Sequence, residues 1–177
     1  MRESMTRRSR SSKAVSREMA IHYRPIGVIR SPFQNIAGMP IQPSGAVGIH
    51  GTVEILPEFA EGLKDLQGFS YIILLYHFHR VQEAKLIVTP FMDSQPRGVF
   101  ATRAPKRPNP IGLSIVKLLG IEGNILHVEN VDILNNTPLL DIKPYVPEFD
   151  HYVADRVGWL EQAEGRVQGK RSDDRFR

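Results

Sequence analysis

The chain has 177 residues, of which 41% are hydrophobic and 24% charged, with a formal net charge of +4 and no cysteine. That composition suits one globular domain with a packed core and excludes collagen-like and wholly disordered chains. Without cysteine, disulfides, thiolate catalysis and thiolate-bound zinc or iron–sulfur centres are excluded as well. The longest apolar run, Tyr71 to Tyr76, is far short of the ~20 residues that cross a bilayer as a helix.

Charge is unevenly placed. Arg2, Arg7, Arg8, Arg10, Lys13 and Arg17 face only Glu3 and Glu18 in residues 1–19, so this stretch carries the whole surplus and the rest is neutral. A folded domain that binds nucleic acid must therefore do so through a local basic patch. The first 22 residues read as a disordered basic leader without the apolar stretch of a secretory signal, which predicts a cytoplasmic protein. Residues 23–152 form the expected domain, and 153–177 a C-terminal helix and tail.

Order begins with an extended run from Tyr23 to Arg30, closed by Ser31-Pro32. Residues 34–47 hold Gly38, Pro40, Pro43 and Gly45 and predict a loop. Gly51 to Ile55 alternates as a half-buried strand, and Pro57 to Gly68 carries Phe59, Leu63 and Leu66 at helical spacing. Gly68 to His79 is apolar enough to predict a strand buried on both faces. Further strands are expected over Lys85–Val88 and Gly98–Thr102, and a hairpin joins Leu113–Ile121 to Ile125–Val131 across Glu122-Gly123-Asn124. Ile133 and Leu139–Ile142 add extended pieces. Ala154 to Gln168 predicts an amphipathic helix laid on the domain or a partner subunit, with a frayed end beyond Lys170. The fold class is therefore mainly β, a small single-domain barrel with a few short helices. No glycine-rich phosphate loop occurs, so a Rossmann nucleotide site is disfavoured.

Three clusters carry chemistry. Between Arg97 and Gly112, three prolines stiffen a loop bearing Arg103, Lys106, Arg107 and Asn109, and a fixed guanidinium fork suits carboxylate or phosphate. His77 and His79, at the exit of the apolar strand, share a face if the strand continues, which suits a ligand rim better than a metal. In the third cluster, Asn135-Asn136 accepts positive φ as a turn, which brings Asp132 towards Asp141.

These clusters are where the chain resembles a known family. The segments Pro25 to Phe33, Gly68 to His79, Gly98 to Arg103 with Arg107 to Ser114, and Thr137 to Tyr145 together resemble the TrmO family, also called YaeB or TsaA-like. The resemblance covers Tyr23 to Asp150. It implies a small non-Rossmann β-barrel, working as a homodimer with its cofactor near the subunit interface. It also implies S-adenosylmethionine-dependent methylation of N6 of threonylcarbamoyladenosine at position 37 of tRNA, with no metal and no membrane partner.

Carried over by motif, the resemblance places the cofactor against Pro40, Ile41, Gln42, His79, Arg80, Arg103, Leu113, Asp132, Ile133, Leu134 and Asn135. Arg103 is expected on the methionine carboxylate, Leu113 on an apolar part of the cofactor, and the Asp132 segment on the nucleoside. Where the family usually has Asp-Gly-Thr-Pro, this chain has Asn135-Asn136-Thr137-Pro138, with one carboxylate fewer. N6 needs a base or a polarising contact, for which Asp141 and Tyr145 are the catalytic candidates. Arg97, Lys106, Arg107, Asn109 and Lys143 are the expected tRNA surface, so Arg107→Ala is expected to weaken tRNA use more than cofactor binding. Two other readings stand beside this one. They are a non-catalytic RNA-binding barrel stacking bases on Phe100 and Tyr145, and a metal hydrolase built on His77, His79, Asp150 and His151.

Overall fold

Period-two alternation dictates the architecture. In a computed structural model, which describes residues 20–163, 171–173 and 176, the strands are β1 (Gly27–Arg30), β2 (His50–Ile55), β3 (Tyr71–His77), β4 (Ile87–Val88), β5 (Arg97–Gly98), β6 (Ile111–Glu122), β7 (Ile125–Glu129) and β8 (Thr137–Pro144). Six of them close an antiparallel barrel in the order β1-β2-β7-β6-β3-β8, while β4 and β5 pair as a separate ribbon.

In β6 the inward positions Gly112, Ser114, Val116 and Leu118 are buried, and Ile111, Leu113, Ile115, Lys117 and Leu119 face out. Inward side chains from every barrel strand, Ile29, Val53, Ile72, Leu74, Val116, Leu126 and Leu139 among them, form one core with exposures of 0%. Burying each such side chain favours folding by about 1.5–3 kcal/mol. Closure also pairs the sheet edges that a flat meander would leave open.

The hairpin between β6 and β7 turns where expected, with Gly123 at φ 62°. Several other expectations change. β3 is buried on one face only, because closing the barrel gives every strand an inside and an outside, and Tyr71 stays 39% exposed. It also ends at His77, so His79 lies in the turn beyond it and the two histidines share no strand face. Residues 57–68 form 3-10 turns, and the expected strands at 85–88 and 98–102 shrink to the β4/β5 ribbon followed by a 3-10 turn at Val99–Ala101.

The expected helix over 154–168 is a 3-10 turn at Gly158–Ala163, and residues 164–168 lie outside the described residues, as does the leader up to Met19. Beyond Lys170 the described residues are docked rather than frayed. Ser172 exchanges backbone bonds with Gly38 and Met39, and Phe176 is buried against Val88, Val99 and Ala104. No helix among the described residues is long and apolar enough to cross a membrane.

Candidate active site

One end of the barrel is not filled by aliphatic side chains. There β3 exits at Tyr76 and His77, β6 enters at Ile111 and β8 starts at Thr137, and three loops cover the opening: 33–49, 78–110 and 131–136. A cavity of about 350 Å³ lies under these loops, within the range of small-molecule sites, ~300–1,000 Å³.

The inner wall of this mouth is a polar chain inside an otherwise apolar barrel. Ser114 Oγ donates to Asp132 Oδ1 at 2.6 Å, and Tyr76 Oη lies 3.0 Å from Ser114 Oγ. Since the single Ser114 proton is directed at the carboxylate, Tyr76 is the donor to Ser114. Desolvation pushes the Asp132 carboxyl up to about 6, opposed by its bond from Ser114 and by the Arg103 charge. Burial holds the Tyr76 hydroxyl well above the usual phenol range, so it remains a donor. Gly112 makes this wall possible. It stands opposite Tyr76 in the β3/β6 register, and a Cβ there would fall 2.2 Å from the ring.

The outer wall is the proline-stiffened loop. Arg103 Nη1 donates to Gln42 Oε1 at 3.0 Å, which joins this loop to the 33–49 loop across the cavity. Arg107 turns inward. Its Nη1 donates to the carbonyls of Val99 at 3.1 Å and Thr102 at 2.9 Å, clasping the turn from which Arg103 projects. At the β8 rim, Thr137 Oγ1 donates to the Leu134 carbonyl at 2.7 Å and lies 3.4 Å from His79 Nδ1. Desolvation, with the charges of Arg80 and His77, lowers the His79 pKa and favours the neutral ring.

Of the eleven positions expected to meet a cofactor, all but Asn135 line this one cavity. Asn135 instead fastens the first loop, accepting from Ser31 N at 3.1 Å and donating to Gln34 Oε1 at 3.2 Å. A carboxylate could accept the first bond but could not donate the second. Asn136 beside it holds φ 63°, as the turn reading required.

The residues expected to act as base are elsewhere. Asp141 pairs with Leu75 in the β3/β8 register, and its Oδ2 lies 2.8 Å from Lys143 Nζ. Tyr145 N bonds the carbonyl of Tyr71, at the opposite end of the barrel. At ~3.3 Å per residue along β8, Tyr145 stands roughly 25 Å from the mouth. The expected hairpin approach of Asp132 to Asp141 does not occur, because Asp132 bonds the inward-facing Ser114, whereas Asp141 shares the outward register of Leu75 and pairs with Lys143.

The expected tRNA surface is likewise divided. Lys106 is only 8% exposed, Lys143 sits towards the far end, and Arg107 is turned into its own loop, while Asn109 is exposed and Arg97 pairs with Asp93 at 2.7 Å. Asp150 and His151 follow β8 at the far end, away from His79, and no group of three metal-binding side chains occurs among the described residues.

Sequence reasoning missed Tyr76, Ser114, Ser172 and Phe176, all of which border or support the cavity. Only Ser114 left a readable sign, as a hydroxyl at an inward position of an apolar alternation.

Known proteins resemble this chain in sequence and in fold. The family model described as the tRNA-methyltransferase O N-terminal domain matches residues 28–151. The chain is 57% identical over 158 residues to a probable S-adenosyl-L-methionine-binding protein of Pyrococcus abyssi, covering 89% of this chain and 86% of the relative. It is 35% identical over 135 residues to a rat tRNA (adenine(37)-N6)-methyltransferase, covering 71% of this chain and 31% of that one. Among solved structures, the crystal structure of TrmO from Pseudomonas aeruginosa superposes with a TM-score of 0.67 at 41% identity. The match covers 80% of this chain and 63% of that one.

Proposed function

The chain belongs to the tRNA-methyltransferase O family, and from that premise we propose that it binds S-adenosylmethionine in the barrel-mouth cavity and methylates N6 of an adenosine in tRNA. The observation that carries this reading is the convergence, in one cavity, of a loop-borne guanidinium, a desolvated carboxylate and apolar walls. Those groups fit the cofactor's own chemistry, a carboxylate and a nucleoside joined by an apolar, positively charged sulfonium arm. When bound, S-adenosylmethionine supplies an electrophilic methyl group.

The residues have distinct tasks. Arg103, held in place by Gln42, binds the methionine carboxylate. Leu113 and Ile111 cover the apolar part, and Asp132 with the 132–134 backbone holds polar groups of the nucleoside. The loops over the mouth exclude water, so orientation supplies much of the acceleration. Asp132 is also the carboxylate placed to accept the proton that N6 gives up, because it lines the cavity and is ionised above about pH 6.

The finer assignment is threonylcarbamoyladenosine at position 37 of the anticodon loop, in the cytoplasm, with the protein acting as a homodimer. An apolar stripe on the outside of β3 and β6 supports the dimer. Ile73 stands beside Ile115 and Leu75 beside Leu113, with Ile115 36% and Leu113 46% exposed. Leu113 also lines the cavity, so a second copy on this stripe would adjoin the cofactor.

The test uses purified protein, labelled S-adenosylmethionine and tRNA prepared with and without the threonylcarbamoyl group. Label appearing as an N6-methyl group on the modified tRNA alone is the expected result. Cofactor binding without label on either tRNA would contradict the enzymatic reading.

A further inference from the structure

A second cavity, of about 680 Å³, adjoins the first across a shared wall that includes Gln42, Thr102, Arg103 and Phe176. Its far wall is aromatic. Phe100 is 74% exposed beside the opening. The Trp159 indole is fixed by donating Nε1–H to the Ala101 carbonyl at 2.8 Å. A guanidinium accompanies each ring, with Arg97 5.9 Å from the Trp159 centroid and Arg107 5.8 Å from that of Phe100. Phe176 packs edge-on against Phe91 at 4.9 Å, forming part of the partition between the cavities. Trp159 and Phe176 lie beyond residue 151, where the family match ends, so the C-terminal segment supplies one side of this cavity.

We infer that this second cavity holds the unpaired adenine base and ribose of the methyl-accepting RNA nucleotide, stacked on Phe100 and Trp159, with N6 reaching into the cofactor cavity past the shared edge at Gln42 and Arg103. The inference rests on the methyl-transfer reading above.

Three observations favour a nucleotide as the occupant. The site shares lining residues with the proposed cofactor cavity, which sets its occupant beside the cofactor as a two-substrate transfer requires. Its faces are flat aromatic rings, which bind unpaired bases by stacking. The volume accommodates a base taken out of its stack.

Trp159 is the single tryptophan of the chain, so its emission reports on this cavity alone. Full-length protein loaded with S-adenosylhomocysteine is titrated with a stem-loop RNA carrying threonylcarbamoyladenosine as its one unpaired loop adenosine, and with the same RNA abasic at that position. The intact RNA is expected to quench Trp159, while the abasic RNA binds through its phosphates without quenching. Phe100→Ala, at an exposed position that leaves the core untouched, is expected to weaken RNA binding about 5- to 150-fold with cofactor affinity unchanged. Trp159→Phe is expected to preserve most of the RNA affinity.

Equal quenching by both RNAs, quenching by neither, or wild-type RNA affinity in Phe100→Ala would each overturn the inference. A parallel cofactor titration keeps the two claims separate. Absence of cofactor binding removes the methyl-transfer reading, whereas the abasic comparison judges the base pocket by itself.

Discussion

Ser114 reaches out of the barrel interior to Asp132, its hydroxyl 2.6 Å from the carboxylate, with Tyr76 behind it. A carboxyl held at about 6 by desolvation changes charge within an accessible pH window. Because its folded pKa is raised, the folded state binds more protons than the unfolded state between about pH 4 and 6. This group's contribution to stability therefore falls as pH rises through that window. Binding of a cationic cofactor has the opposite preference, for the ionised form. Calorimetric affinity for S-adenosylmethionine is predicted to rise from pH 5 to 7, and Asp132→Asn should flatten that rise.

Removal of the Ser114 hydroxyl should act on the same group. In Ser114→Ala the carboxylate loses the bond that lowers its pKa, and Tyr76 loses its acceptor. The pH midpoint of cofactor binding should move upward, and an unsatisfied buried hydroxyl should cost about 1–3 kcal/mol in chemical denaturation.

Gly112→Ala tests the wall from the other side. Its Cβ would overlap the buried Tyr76 ring, so a loss of about 1–3 kcal/mol from overpacking is expected. Cofactor affinity should fall with it, because the displaced ring can no longer support Ser114. Unchanged stability with unchanged affinity would show that the wall yields freely.

Arg107→Ala should weaken cofactor and RNA binding together, in contrast to the selective loss expected from its place in a basic loop. The guanidinium clasps the turn that presents Arg103. Paired calorimetric and RNA-binding titrations read both losses, and selective RNA loss would restore Arg107 to a phosphate-contacting role.

Ile115→Lys places a charge in the outward stripe between β3 and β6 without touching the core. Light scattering after size exclusion should report a dimer for the parent chain and a monomer for the variant.

The barrel was legible where physics is local. Alternation in Gly51 to Ile55 and across the 113–131 hairpin named the strands, and the missing glycine loop disfavoured a Rossmann nucleotide-binding sheet. Motif resemblance brought ten scattered positions into one cavity. Closure was not legible, since which face of β3 turns inward depends on its neighbours, and so Tyr76 escaped notice. The outward placement of Asp141 on β8 and of Tyr145 just beyond its far end depends on barrel register, which spacing from Asp132 does not encode. Basic residues read as one surface were divided by the same long-range geometry, with Lys106 buried. The docking of Ser172 and Phe176 comes from contacts across more than 70 residues of chain, beyond any local pattern.

The most direct test of the central claim is calorimetric titration of the full chain with S-adenosylmethionine, beside Arg103→Ala. Arg103 is exposed and tied by a side-chain bond to Gln42, so the variant should fold normally. Micromolar binding by the parent chain and its loss in Arg103→Ala are predicted. Absence of heat with the parent chain at several temperatures, or unchanged affinity in the variant, would contradict the account.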